Sequence, residues 1–137
     1  MTIFTHFYIV TEAGTCIYSR SSDTQADHYL LPGFMMALEG FAQKMLAGNL
    51  ESVTIGKSKY FAVSEHKLLF IVRTEPNAKD NLVKQELEEL QSIFFSNFPA
   101  EKHSANWDSM RDIAPTLNAS YDSYFKDSDQ KMREAVW

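Results

Sequence analysis

The tripeptide Gly56-Lys57-Ser58 is the stretch of this sequence that comes nearest to a chemical motif. It resembles the end of a phosphate-binding loop, in which backbone N–H groups and a lysine hold phosphate. Such a loop has a further glycine five residues before Gly56, but this chain has Glu51 there, and a carboxylate repels phosphate. A helix should also follow Ser58, whereas Tyr60-Phe61-Ala62-Val63 has the composition of a strand. The tripeptide is therefore predicted to be a hairpin turn.

Other side chains with catalytic or metal-binding chemistry are scattered along the chain. The histidines are His6, His28, His66 and His103, with no pair four residues apart and no HExxH motif. His28, beside Asp27 near a predicted helix start, fits a surface or capping role better than metal binding or catalysis. His6 lies in a predicted central strand and fits a hydrogen-bonded core position. Cys16, the only cysteine, has no base beside it in sequence and is predicted to be a buried structural thiol. We therefore predict no catalytic residue, no metal ligand and no cofactor.

Composition narrows the class of protein. With 45% hydrophobic and 13% aromatic residues in 137, one globular domain with a real core is expected. The net charge of −5 gives no electrostatic footprint for nucleic-acid binding. The N-terminal residues do not match a signal peptide, and no apolar run approaches the roughly 20 residues that span a bilayer. The expectation is a cytoplasmic protein that contacts membranes only peripherally or through a partner.

The segment from Asp27 to Met45 is the strongest helical pattern, and the other elements are arranged around it. Its apolar residues recur at three- and four-residue steps on one face: Leu31, Phe34, Met35, Leu38, Phe41, Ala42 and Met45. Asp27 is the predicted N-cap, and Pro32 lies in the first turn. Gly40 costs this helix about 1 kcal/mol relative to alanine. We predict that Gly40 lies where the helix packs closely on a sheet.

Five strands are predicted around this helix. Ile3 to Val10 and Leu68 to Arg73 are apolar along their length, which is typical of central strands covered on both faces. The other three are Thr15 to Ser19, Leu50 to Ile55 and Lys59 to Ser64. In Leu50 to Ile55 the alternation places Glu51, Val53 and Ile55 on one face.

Two helices are predicted after the strands. Asn81 to Phe98 carries an apolar stripe and ends before Pro99. Another runs from Trp107 to Tyr124, with a kink or break at Pro115. The apolar central strands require helices on both faces of one antiparallel sheet.

The order of elements and several stretches resemble the longin domain in its profilin-like α/β/α form. These stretches are FYIV with TEAG, CIYSR, LLPGFMMALEGFAQKML and LESVTIGKSKYFAVSEHKLLFIVR. The related roadblock fold normally opens with a helix, whereas this chain opens with a strand at Ile3. The resemblance covers residues 3–126. It implies a single longin-like domain over residues 1–126, followed by a polar tail or helix extension over residues 127–137.

The resemblance implies a five-stranded antiparallel sheet in the order 2-1-5-4-3. The helix beginning near Asp27 covers one face, and the two C-terminal helices cover the other. Longin domains occur in vesicle SNAREs, coat adaptors, trafficking complexes and exchange factors for small GTPases, and stand-alone forms occur in archaea. They are non-enzymatic and usually dimeric platforms without a cofactor. Unlike the SNARE members, this chain has no coiled-coil heptads after the domain and no C-terminal lipidation cysteine, so membrane fusion is not expected.

Three functions follow as hypotheses. The first is a dimeric platform that binds or regulates a small GTPase in a trafficking-like system. The second is an enzyme or small-ligand-binding protein with a pocket around His28 or His6. The third is a subunit that pairs with a different longin or roadblock chain.

The predicted dimer interface follows from the strand order. Leu50 to Ile55 is an edge strand, and edges present unpaired backbone groups. The interface is predicted to use five residues of that strand and of the outer face of the first helix: Glu51, Val53, Ile55, Met36 and Tyr29. Val53→Pro would remove a strand donor and is expected to weaken the dimer.

Overall fold

The computed structural model describes residues 4–21, 39–41, 50–110 and 113–136, the side chains of 104–105 and 127–136 excepted. Most of the predicted helix from Asp27 to Met45 lies outside these residues, and so do Tyr29, Met36 and His28. The part that is described, residues 39–41, is helical as predicted.

The five predicted strands form one antiparallel sheet. Their bounds are β1 Phe4–Thr11, β2 Cys16–Ser21, β3 Glu51–Ile55, β4 Ser58–Glu65 and β5 Leu68–Thr74. The order β2-β1-β5-β4-β3 confirms the predicted topology, and every neighbouring pair is antiparallel. The two strands with continuous apolar sequence, β1 and β5, pair with each other inside the sheet.

Two-residue loops connect β3 to β4 and β4 to β5, and they set the register of the sheet. In the first loop only Gly56 has a positive φ, 60°, which is the pattern of a type II′ turn. The predicted hairpin at Gly56-Lys57-Ser58 is confirmed. In the second loop His66 and Lys67 both have positive φ, as a type I′ turn requires, although neither is the usual asparagine or glycine. The Trp107 indole N–H donates to the His66 carbonyl at 2.8 Å and helps to hold this strained loop.

Helices follow β5 in the predicted order. They are α1 Asp80–Asn97, α2 Ala100–His103, a 3₁₀ helix Ser104–Ser109 and α3 Ala114–Val136. The predicted break near Pro115 is confirmed, because Trp107 lies in the 3₁₀ helix and Pro115 lies in the first turn of α3, where proline is tolerated. Residues 127–136 were predicted to be either a polar tail or an extension of the helix, and they continue α3 as far as Val136.

Each face of the sheet has its own apolar core. The larger core, on the first face, joins strand residues such as Phe7 and Phe70 to Leu90 of α1 and Tyr121 of α3. The smaller core, on the second face, contains Tyr8, Val10, Phe41, Tyr60, Ala62 and Ile71. Because Phe41 is fully buried there, the helical residues 39–41 lie on the face opposite to α1 and α3. The chain is an α+β protein with an open antiparallel sheet.

Candidate functional site

Strand β3, which contains three of the five predicted interface residues, lies at one edge of the sheet. Among the described strands it pairs with β4 alone. Its five residues are an ordinary length for a strand, and Glu51 is its single charged side chain. Natural edge strands are commonly protected by several charges, by proline or by a bulge. Strand β3 contains no proline and no bulge, and its only charge is the carboxylate of Glu51.

The register with β4 determines which backbone groups of β3 reach the open edge. In an antiparallel ladder, pairs that exchange both hydrogen bonds alternate with pairs that exchange none. Ile55 and Ser58 flank a two-residue loop and therefore exchange both. The hydrogen-bonded pairs are then Ile55–Ser58, Val53–Tyr60 and Glu51–Ala62. The N–H and C=O groups of Ser52 and Thr54 point away from β4, toward the edge that no described strand occupies, here called the open edge.

The opposite side of β4 gives an independent check on this assignment. Glu65 and Leu68 flank the other two-residue loop, so they form a hydrogen-bonded pair between β4 and β5. Hydrogen-bonded pairs recur at every second residue along β4, so Val63 and Phe61 also bond to β5. The intervening residues of β4, Tyr60 and Ala62, therefore bond to β3, which agrees with the pairs assigned from the first loop.

The side chains of the predicted interface residues of β3 are used inside the domain. Val53 and Ile55 pack against the core of the second face and are half-buried. A Cβ atom added to Gly40 would lie 3.2 Å from Cγ2 of Val53, so the helical backbone at Gly40 lies directly over β3. This is the close approach that the sequence predicted for Gly40. Because the N–H of Val53 faces β4, Val53→Pro would disturb the hairpin itself and is a poor probe of the open edge.

A groove lies on the first face, beside the beginning of β3. It encloses about 220 Å³ between β4 and α1. Its lining is Leu50, Val63, Ser64, Glu65, Lys84, Leu87, Glu88 and Gln91. The Gln91 side-chain amide donates to Glu65 Oε1 at 2.9 Å, which ties α1 to the end of β4. The groove has an apolar floor and a charged rim, and any strand added to β3 would lie next to it.

The candidate histidine and cysteine positions show structural contacts. His6 is half-buried, with Nδ1 3.1 Å from the Thr5 hydroxyl and its ring stacked 6.3 Å from the ring of Tyr8. The Cys16 thiol lies 3.4 Å from the Tyr18 carbonyl, to which it donates. Burial raises the pKa of Cys16 to about 11, so the thiol stays protonated at neutral pH. Within the described ranges, no three His, Cys, Asp or Glu side chains come together as metal ligands.

Sequence reasoning missed a polar network that fastens α3 to β2. Arg20 is 2% exposed, and its Nη2 donates to Asp122 Oδ1 at 2.8 Å. Its guanidinium lies 4.8 Å from the centre of the Phe125 ring, and Nη1 donates to the Tyr18 hydroxyl at 3.3 Å. That hydroxyl donates in turn to Asn118 at 2.7 Å. The residue spacing could have indicated this network. Residues 118, 122 and 125 share one face of a helix, and residues 18 and 20 share one face of a strand.

A second missed contact lies in the same core. Tyr121 is fully buried, and its hydroxyl donates to the Leu90 carbonyl at 2.9 Å. Burial raises the pKa of Tyr121 well above its usual value, so it remains a phenol and a hydrogen-bond donor. This bond links α3 to α1.

A scan against protein-family models and a search of the curated proteins each found no match to this chain. None of the helices in the described ranges combines the length and the apolar character needed to cross a membrane.

Proposed function

We propose that this chain is a non-enzymatic interaction module that forms a homodimer through the open edge of β3. The observation that carries the proposal is the pair of outward-facing backbone units at Ser52 and Thr54, on an edge strand with one charge. A second copy satisfies these groups by adding its own β3 in antiparallel orientation. Such a contact uses the same surface on both copies, as a two-fold dimer requires.

The geometry favours one register. When Val53 lies on the two-fold axis, Ser52 of each copy is opposite Thr54 of the other, and both pairs exchange two hydrogen bonds. This register uses all five residues of both strands. It also places Glu51 opposite Ile55 of the second copy, so the two carboxylates do not face each other. The product is a ten-stranded sheet that continues across the axis.

We propose further that the dimer is a platform for a small GTPase in a trafficking-like system. This step rests on the resemblance to longin domains, for which the strand order 2-1-5-4-3 is the supporting observation. The groove between β4 and α1 lies beside the new sheet and offers a partner an apolar floor. Pairing of β3 with a different longin or roadblock chain would use the same backbone groups.

The test of the dimer is a proline scan along β3, measured by analytical ultracentrifugation. Proline at Ser52 or Thr54 removes an outward-facing donor and leaves the ladder to β4 intact, because proline is tolerated where the N–H faces solvent. Both variants are expected to be monomeric at concentrations where the parent is a dimer, with little change in melting temperature. Val53→Pro is the contrast and is expected to lower the melting temperature, because it removes a donor to β4.

Two results would contradict the dimer. One is a parent chain that stays monomeric at high micromolar concentration with no related chain present. The other is a dimer that survives proline at both Ser52 and Thr54. A pull-down with the parent chain, followed by mass spectrometry, tests the partner: a small GTPase supports the platform, and a related longin or roadblock chain supports the hetero-complex.

A further inference from the structure

We infer that a groove along α1, on the first face of the sheet, is a docking site for an extended segment of a partner protein that carries an arginine two residues from a leucine. The groove consists of two adjoining hollows. The lower one, nearer the beginning of α1, is the hollow of about 220 Å³ described above, and the upper one encloses about 480 Å³. The upper hollow, here called the arginine pocket, is lined by Glu65, Glu88, Gln91, Ser92, Phe95 and Ser96. The inference depends neither on the proposed dimer nor on a GTPase partner.

The two hollows form one continuous groove. They share Glu65, Glu88 and Gln91, which lie where the hollows meet. The lining residues belong to α1, to β4 and to Leu50 just before β3, and all of them are among the described residues. A single extended segment can therefore reach both hollows.

The arginine pocket contains a buried amide whose oxygen has no donor. Gln91 is 8% exposed, and its side-chain N–H group donates to Glu65 Oε1 at 2.9 Å. No described group donates to the carbonyl oxygen of the same amide, although Gln91 lines both hollows. Buried side-chain oxygens normally accept a hydrogen bond. This oxygen therefore indicates that the occupant of the groove supplies a donor.

Two carboxylates line the same pocket and have no cation. Glu65 is half-buried, and the contact with Gln91 fixes one of its oxygens and leaves the other available. Glu88 is exposed and forms no hydrogen bond with a described residue. Neither carboxylate forms an ion pair with a described residue. The pocket is therefore negative and rich in acceptors, and it favours a cationic donor.

Phe95 makes arginine a better match for this pocket than lysine. Its ring lines the pocket and lies 5.1 Å from the ring of His66 in an edge-on contact. A guanidinium is planar, stacks on an aromatic ring and donates two parallel hydrogen bonds to a carboxylate. Its five N–H donors can meet the Gln91 oxygen and a carboxylate at the same time, whereas an ammonium is a compact point charge.

The lower hollow supplies the second anchor point. Leu50, Val63 and Leu87 give it an apolar floor. Leu87 and Gln91 are four residues apart in α1, which is about 6 Å along the helix axis. In an extended segment, side chains two residues apart share one face and are separated by about 6.6 Å. Such a segment can therefore place a leucine over Leu87 and an arginine at Gln91. Lys84 lines only the lower hollow, and its charge disfavours an arginine there.

The test is an NMR titration of the ¹⁵N-labelled full chain with two acetylated and amidated tripeptides, Leu-Ser-Arg and Arg-Ser-Leu, which run in opposite directions along the groove. At least one of them is expected to give saturable shifts at the amides of Glu88, Gln91 and Phe95. The same peptide with glutamine in place of arginine should bind roughly fivefold more weakly, as expected for the loss of one well-placed surface ion pair. With lysine in place of arginine, the affinity should lie between these two values.

Variants of the chain test the pocket itself. Glu88→Gln removes an exposed carboxylate, and Glu65→Gln removes a half-buried one but keeps an acceptor for Gln91. Each should weaken binding of the arginine peptide about threefold and leave binding of the glutamine peptide unchanged. Glu101→Gln removes the same charge from an exposed position of α2, outside the groove, and should bind the arginine peptide as the parent does.

Four results would overturn the inference. The absence of saturable shifts with both peptides would remove the docking site, and equal binding of the arginine and lysine peptides would remove the assignment to a guanidinium. An equal loss in Glu101→Gln would reduce the effect to net charge. Analytical ultracentrifugation of Glu88→Gln separates a partner protein from a second copy of this chain: self-association equal to that of the parent is expected, and weaker self-association would assign the groove to the second copy.

Discussion

Removing the carboxylate of Asp122 should reveal how strongly the Arg20 network fastens α3 to β2. In Asp122→Ala the guanidinium of Arg20 stays buried but loses its ion-pair partner at 2.8 Å. Among the described residues, its other polar contacts are the Tyr18 hydroxyl and the Ser21 carbonyl, both at 3.3 Å, which is long for a charge-assisted hydrogen bond.

The expected magnitude lies between two limits. Breaking a fully buried ion pair costs about 3–5 kcal/mol, and an exposed pair contributes about 0–1 kcal/mol. Arg20 is 2% exposed and Asp122 is 43% exposed, so water screens one end of this pair. We expect Asp122→Ala to lower the free energy of unfolding by about 2 kcal/mol. Arg20→Met should cost less, about 1 kcal/mol, because the Asp122 carboxylate that it leaves behind can be hydrated.

The assay is urea denaturation followed by circular dichroism on both single variants and on the double variant. The double variant should be more stable than the sum of the single losses predicts, by about 1 kcal/mol or more of coupling. Glu88→Ala removes an exposed carboxylate from α1 and serves as the charge-matched control. A loss below about 0.5 kcal/mol for Asp122→Ala, or no coupling, would show that Arg20 is solvated and does not hold α3.

Two further substitutions probe the second face. Gly40→Leu should cost about 1–3 kcal/mol by overpacking against Val53; thermal melting should show a partial rescue by Val53→Ala, and a Gly40→Leu variant that melts like the parent would contradict the close approach. Burial raises the pKa of the Cys16 thiol from about 9 to about 11, so folding favours the protonated form. The contribution of this thiol to the free energy of unfolding is therefore complete below pH 9 and is lost as pH rises toward 11. Cys16→Ala should therefore lose less stability than the parent between pH 8 and pH 10.5 in urea denaturation, and equal losses would place the thiol in solvent.

Much of the sheet could be predicted because its signals are local. Continuous apolar runs marked β1 and β5 as central, and Gly56 marked a tight turn. Proline marked the break before α3. The second loop was harder, since His66 and Lys67 do not have the composition of a type I′ turn. The indole of Trp107, 41 residues away in sequence, supplies the contact that stabilises it, and single-residue preferences cannot report a distant partner.

The polar contacts were less predictable for the same reason. Arg20 and Asp122 are 102 residues apart, and each has an ordinary sequence context. Only after the sheet order and the position of α3 are known do their faces meet. The contacts of Arg73 with Ser58 and Thr5 likewise join three strands.

The candidate interface shows a more specific limit of pattern reasoning. Alternation in a strand separates its two faces, and so it correctly grouped Glu51, Val53 and Ile55. The edge of a sheet is decided by a different alternation, that of the backbone N–H and C=O groups, which depends on the register of the neighbouring hairpin. In β3 the residues whose side chains point to the second face are those whose backbone groups bind β4, so the open edge belongs to Ser52 and Thr54. An experiment on the proposed dimer must therefore change the backbone at Ser52 and Thr54, because substitution of Val53 or Ile55 changes the domain's own core first.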